Sequence, residues 1–154
     1  MTTEDVDNFP TMFMFSPRAD RPQDWSLTFE AFTEALRGRE ADAATEQWSS
    51  PVSPGDTLSF VFTTSADNKA EGMAGVEPNG VAVEDCTCAE AAEFAHWLQS
   101  TALPSQAAMY VNMTEGVEWE FPSIELPRVE VQELQGLLTE RLRQILDHEE
   151  QQLE

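Results

Sequence analysis

Residues 57–99 read TLSFVFTTSADNKAEGMAGVEPNGVAVEDCTCAEAAEFAHWLQ, and this stretch decides the fold. Its first seven residues alternate. Leu58, Phe60 and Phe62 fall on one face and Ser59, Val61 and Thr63 on the other, the period of a half-buried strand. Residues 65–69 turn the chain. The segments 72–77 and 80–84 flank Pro78 and Asn79 and read as a hairpin. Thr87 and Glu90 then have the spacing of a capping box and open a helix to about Gln99. Ala91, Phe94, Ala95 and Leu98 recur along it at i, i+3, i+4 and i+7. A strand, a hairpin and a helix in succession place the chain in the α+β class.

Toward the N-terminus, residues 11–15 (TMFMF) form a short apolar run ended by Ser16-Pro17, which reads as a strand. Ser26 can cap a helix over 27–37, with Leu27, Ala31 and Ala35 on one stripe and Phe29, Phe32 and Leu36 beside it. Gly38 stands where a helix C-terminal glycine belongs. Residues 39–56 read as a long connection in which Trp48 anchors the loop by packing.

Toward the C-terminus, residues 109–113 and 117–121 alternate on either side of Glu115-Gly116. They read as a second hairpin with one apolar and one acidic face. Pro122 and Pro127 bracket an extended piece, 123–126. The clearest helix runs over 129–147, with Val131, Leu134, Leu137, Leu138, Leu142, Ile145 and Leu146 on its apolar stripe. Glu130 and Glu133 lie early and Arg141 and Arg143 late, as the helix dipole prefers. The expectation is a single α+β domain over 11–148, with an antiparallel sheet of about five or six strands and two or three helices packed on it. Residues 1–10 read as an acidic flexible arm and 149–154 as a frayed acidic tail.

Charge sets the class of partner. The chain of 154 residues carries 29 acidic and 8 basic side chains, a formal net charge of −21. The segment 51–127 is the most one-sided, with twelve acids and one base, Lys69. Such a surface repels nucleic-acid backbones and anionic lipid and attracts basic proteins and cations. Apolar residues make up 41% of the chain, enough for a core, so the charge does not imply disorder. No run is long and apolar enough for a membrane span, and the acidic start MTTEDVDNFP is unlike a signal peptide. The expected location is cytoplasmic.

The search for chemistry returns no catalytic, cofactor or metal site. His96 and His148 are the only histidines. Glu93 and His96 have the E-x-x-H spacing of di-iron bundles, but the second copy is missing. Residues 5–16 begin like a calcium loop and lack its glycine and closing glutamate. Cys86 and Cys88 have no second pair to complete a zinc site and are too close to staple a fold. Cys88 lies in the first turn of a helix, where a thiolate is favoured, but the simpler reading is a small packed thiol. Nucleophile-elbow, phosphate-loop and dinucleotide glycine motifs are all missing.

From residue 26 onward the order of elements is helix, three strands, helix, two strands, helix. This order, with small size and strong acidity, resembles the class I type III secretion chaperones and the related YbjN-like bacterial domains. The resemblance implies an α+β fold and a protein-binding role. It assigns no residue to that role.

Three functions are consistent with the chain. The first is a non-enzymatic binding module, immunity-type or chaperone-like, that engages a basic partner or an exposed apolar segment. Aromatic anchors among acids would carry it, and the candidates are Phe13, Phe15, Trp25, Glu118, Trp119 and Glu120. For the N-terminal aromatics a place in the core is the competing and favoured reading. The second is an enzyme or small-molecule binder that uses carboxylates alone. The third is a homodimeric or larger assembly, formed through the last helix or an edge strand.

Overall fold

The computed structural model describes residues 3–50, 53–65, 67–76 and 79–153. The elements are α1 (Thr3–Asp7), β1 (Thr11–Ser16), a 3-10 turn (Pro22–Asp24), α2 (Phe29–Arg39), β2 (Thr45–Ser50), β3 (Ser53–Thr63), β4 (Lys69–Val76) and β5 (Asn79–Cys86). There follow α3 (Cys88–Trp97), a π-turn (Leu98–Ala102), β6 (Met109–Met113), α4 (Thr114–Glu118), β7 (Ile124–Leu126) and α5 (Val131–Gln152). The fold is α+β, as the sequence leads one to expect. The strands form one seven-stranded sheet in the order β2-β3-β4-β5-β1-β6-β7. Every pairing in it is antiparallel.

One face of this sheet makes the core. Leu58, Phe60 and Phe62 of β3, Phe13 and Phe15 of β1, Val81 and Val83 of β5 and Met109, Val111 and Met113 of β6 are all buried there. The helices close over them. Phe32 of α2 meets Phe60 at 4.9 Å between ring centres, and Phe94 of α3 meets Phe62 at 4.9 Å and Phe60 at 5.8 Å. Each such ring contributes roughly 1.5–3 kcal/mol by leaving water. α5 adds Leu134, Leu138, Leu142, Ile145 and Leu146. Buried Asn79 ties the segment before α2 to the sheet. It accepts from the Leu27 N–H (3.1 Å) and donates to the carbonyls of Leu27 (3.2 Å) and Val76 (2.9 Å).

The capping box at Thr87 and Glu90 is present in both directions. The hairpin of β4 and β5 is present and longer than its apolar residues suggest; its tip, Glu77 and Pro78, lies outside the described residues. Three expected boundaries move. Thr28, not Ser26, caps α2 by accepting from the Ala31 N–H at 3.1 Å. Ser26 has φ 47°, outside the extended region an N-cap adopts, and its hydroxyl donates to the Gln23 carbonyl at 2.8 Å. Gly38 lies inside α2, which ends at Arg39. α5 runs on to Gln152, so Arg141 and Arg143 are not at its C-terminus. They bond to neighbours instead: Arg143 to Glu140 and Asp147, and Arg141 to the Pro122 carbonyl.

Two assignments are corrected outright. The second hairpin does not form: residues 114–118 are helix α4. Both edges of β6 are taken, by β1 and by β7, which leaves no place for residues 117–121 beside it. Asn112 also folds the chain back, accepting from the Met113 N–H (2.9 Å) and donating to the Phe121 carbonyl (3.0 Å). The connection 39–56 contains strand β2, paired with β3 from Thr45 to Ser50. Where the sequence reads an arm, residues 3–7 form a short helix whose Val6 is fully buried. Met1, Thr2 and Glu154, at the ends of the expected arm and tail, lie outside the described residues.

Candidate interaction surface

The face of the sheet away from the helices is the surface the sequence reading missed. Strand register places Glu46, Ser59, Met73, Ala82, Met14 and Asn112 in one row across six strands. At the usual strand spacing this row spans about 24 Å. Met14, Ser59, Met73, Ala82 and Asn112 are half-buried between buried neighbours along their strands, and Glu46 on the edge strand is exposed. A second row runs Trp48, Thr57, Gly75, Gly80, and its paired glycines leave the sheet backbone uncovered by side chains.

At the β2 end this face is concave. A hollow of about 470 Å³ is lined by Glu46, Ser59, Val61, Glu71, Met73 and Glu84, among others. Three carboxylates therefore surround a methionine and a valine. The Trp48 indole, 42% exposed, leans over β3 and donates to the Ser59 hydroxyl at 2.7 Å. Trp48 is thus an exposed ring on an edge strand rather than an anchor inside a loop. Soft methionines beside carboxylates suit an apolar side chain that carries a positive charge.

The residues singled out from sequence do not meet on this face. Phe13, Phe15 and Trp25 are at most 1% exposed, and the Trp25 indole donates to the Ala108 carbonyl at 2.8 Å. The three are buried in the core. Glu118 and Glu120 are exposed around the end of α4, and Glu120 has φ 60°. Trp119 is half-buried, edge-on to His148 at 5.5 Å between ring centres, with Phe121 on the same imidazole at 5.5 Å.

The remaining chemistry-bearing groups are engaged structurally. Glu93 accepts from the Ser65 N–H (3.3 Å) and from the Ser65 hydroxyl, and so closes a turn rather than pairing with His96. Cys86 and Cys88 are buried free thiols. Burial pushes Cys86 up to about 12, with the charges of Glu90 and Asp85 adding to it. Burial likewise pushes Cys88 up to about 11. Both are protonated at neutral pH, so neither is an activated nucleophile. Among the described residues, no group of three His, Cys, Asp or Glu side chains is placed to hold a metal, and no helix is long and apolar enough to cross a membrane.

No family model, curated protein or solved structure matches this chain. What the open face does must be read from its own residues.

The signal for this face was in the strands themselves. In TMFMF, Met12 and Met14 alternate with Phe13 and Phe15. In a strand that puts methionine on the side opposite the core. Val61, between Phe60 and Phe62, repeats the pattern.

Proposed function

We propose that this protein is a non-enzymatic binding module that takes a basic partner protein on the open face of its sheet. The observation that carries the reading is the position of Met73 and Val61 on the face without helices, with Glu46, Glu71 and Glu84 around them and Met14 two strands along the same face. Acidic groups steer a cationic partner and set which partner is accepted, while apolar contact in the middle supplies affinity. A net charge of −21 strengthens the long-range part.

The test is a pull-down from native lysate at low and high salt, read by mass spectrometry, with three baits. These are the wild type, the triple variant Glu46→Gln, Glu71→Gln, Glu84→Gln, and a control with the same charge change on α5, Glu133→Gln, Glu140→Gln, Glu149→Gln. Circular dichroism first checks that each is folded. A basic protein held at low salt, shed at high salt, kept by the control and lost by the triple variant supports the reading. Equal retention by all three baits, or no basic partner at either salt, overturns it.

A further inference from the structure

The geometry points to strand β2 as the place where that partner enters, by laying an extended basic segment beside Thr45–Ser50 as an eighth strand. This rests on the reading of the protein as a binder of basic partners, and adds where and in what conformation the partner binds.

Four observations converge on β2. It ends the sheet: β3 pairs with one side of it, and among the described residues no strand pairs with the other. An edge of this kind offers a row of backbone donors and acceptors to a new strand. Native edges are commonly guarded by lysine or proline, and Thr45–Ser49 (TEQWS) contains neither.

The second observation is that β2 is bordered by a hollow on each face. On the open face is the one around Met73, Glu46 and Glu84. On the helix face, between β2 and α2, lies another of about 470 Å³, lined by Phe29, Glu30, Thr33, Glu34, Gln47 and Leu58 with Arg37 and Thr45. Side chains of an added strand point alternately to the two faces. One strand therefore serves both hollows, with every second side chain near Glu46 and the others over Phe29 and Leu58.

The third is the sign of the charge. Glu46, Glu71 and Glu84 line one hollow and Glu30 and Glu34 the other, against the single base Arg37. The occupant that complements this is a strand with lysine or arginine at alternate positions and apolar residues between. The fourth weighs against self-pairing as the occupant. A second copy would bring another −21 and another set of the same carboxylates to the edge.

The experiment uses the full chain and a fluorescent synthetic peptide of about eight residues, alternating lysine and valine with blocked ends. Two comparison peptides have the same composition. One is N-methylated at alternate residues, which removes backbone donors and blocks strand pairing while keeping charge. The other groups its lysines in one block. Binding is read by anisotropy at about 20 mM and about 500 mM salt, and the site by deuterium exchange. The expected result is that the alternating peptide binds at low salt and slows exchange at residues 45–50. N-methylation, block order and high salt should each weaken binding by about tenfold or more. Equal binding of all three peptides, lost in the Glu46, Glu71 and Glu84 triple variant, would overturn strand addition and leave the acidic face standing. Failure of the alternating peptide to bind, or protection outside residues 45–50, would also overturn it, while the pull-down judges the broader reading separately.

Discussion

Arg128 is tied to Gln99 through the Gln99 backbone carbonyl, and the Gln99 side chain ties back to the two residues before Arg128. The Arg128 guanidinium donates to the Gln99 backbone carbonyl at 2.6 Å, and the Gln99 side-chain amide donates to the carbonyls of Leu126 (3.1 Å) and Pro127 (3.3 Å). Arg128 also donates to the carbonyls of Pro104 (2.7 Å) and Ala107 (3.0 Å). One point thus joins the π-turn, the loop after it and the exit of β7. Gln99 is buried, so Gln99→Ala strands two carbonyls and should cost about 1–3 kcal/mol in urea unfolding. Arg128→Lys keeps the charge but loses the planar fork that reaches three carbonyls, and should also destabilise. Because both side chains clamp the same stretch, Gln99 by the carbonyls of Leu126 and Pro127 and Arg128 by the Gln99 carbonyl, the double variant should cost less than the sum of the singles. Additive losses would show that the tie is not shared.

The Phe60 ring lies over Gly72, its register partner on β4. A Cβ at Gly72 would run into that ring and come within 2.7 Å of the Ala82 carbonyl. Backbone in a sheet has little room to give, so Gly72→Ala should destabilise by about 1–3 kcal/mol. Gly136 gives the opposite case. It lies inside α5, and a Cβ there meets nothing within 4 Å. Gly136→Ala should therefore stabilise by up to about 1 kcal/mol through helix propensity. Thermal unfolding of the two variants should move in opposite directions, and movement in the same direction would contradict the packing around Phe60.

These contacts also indicate what a sequence can reveal. The strands whose alternation is strict, such as β3, and the helices with a marked cap or stripe, α3 and α5, are legible because local periodicity and burial agree. β2 is not, because an edge strand is buried on neither face and TEQWSS has no alternation to read. Residues 117–121 alternate as a strand would, yet tertiary structure overrides the pattern once β1 and β7 occupy both edges of β6. The candidate surface was hidden for a related reason. It is assembled from residues of six strands, and the alternation within any one of them, such as TMFMF, gives only that strand's part of it. The aromatics that stood out, Phe13, Phe15 and Trp25, stood out because cores are built from such residues.

The two thiols predict a pH dependence. Cys86 and Cys88 ionise at about 12 and about 11 in the fold, against an ordinary value of 9.0. The folded chain holds these protons more tightly than the unfolded chain. Their contribution is fully present below about pH 9 and is lost as pH rises through 9 toward 11 and 12. At pH 8 in native buffer, iodoacetamide should label neither thiol over the time in which it labels both in urea. Rapid native labelling of Cys88 at pH 8 would show an accessible thiolate and revive the helix N-terminal nucleophile.

Self-repulsion predicts the salt response. A net charge of −21 sits on a chain whose ion pairs among the described residues lie mostly at the surface, such as Arg18 with Asp20 and Arg143 with Asp147. Surface pairs of this kind contribute little and weaken with salt. Repulsion among the remaining carboxylates acts over the screening length, which falls from about 30 Å at 0.01 M to about 10 Å at 0.1 M. Salt should therefore raise the thermal midpoint, with most of the gain below about 0.2 M, where screening changes fastest. Sodium and potassium chloride should act alike, since screening depends on ionic strength and not on ion identity. A midpoint that is flat at low salt and climbs only near molar concentration would point to ion exclusion from the surface rather than to relief of repulsion.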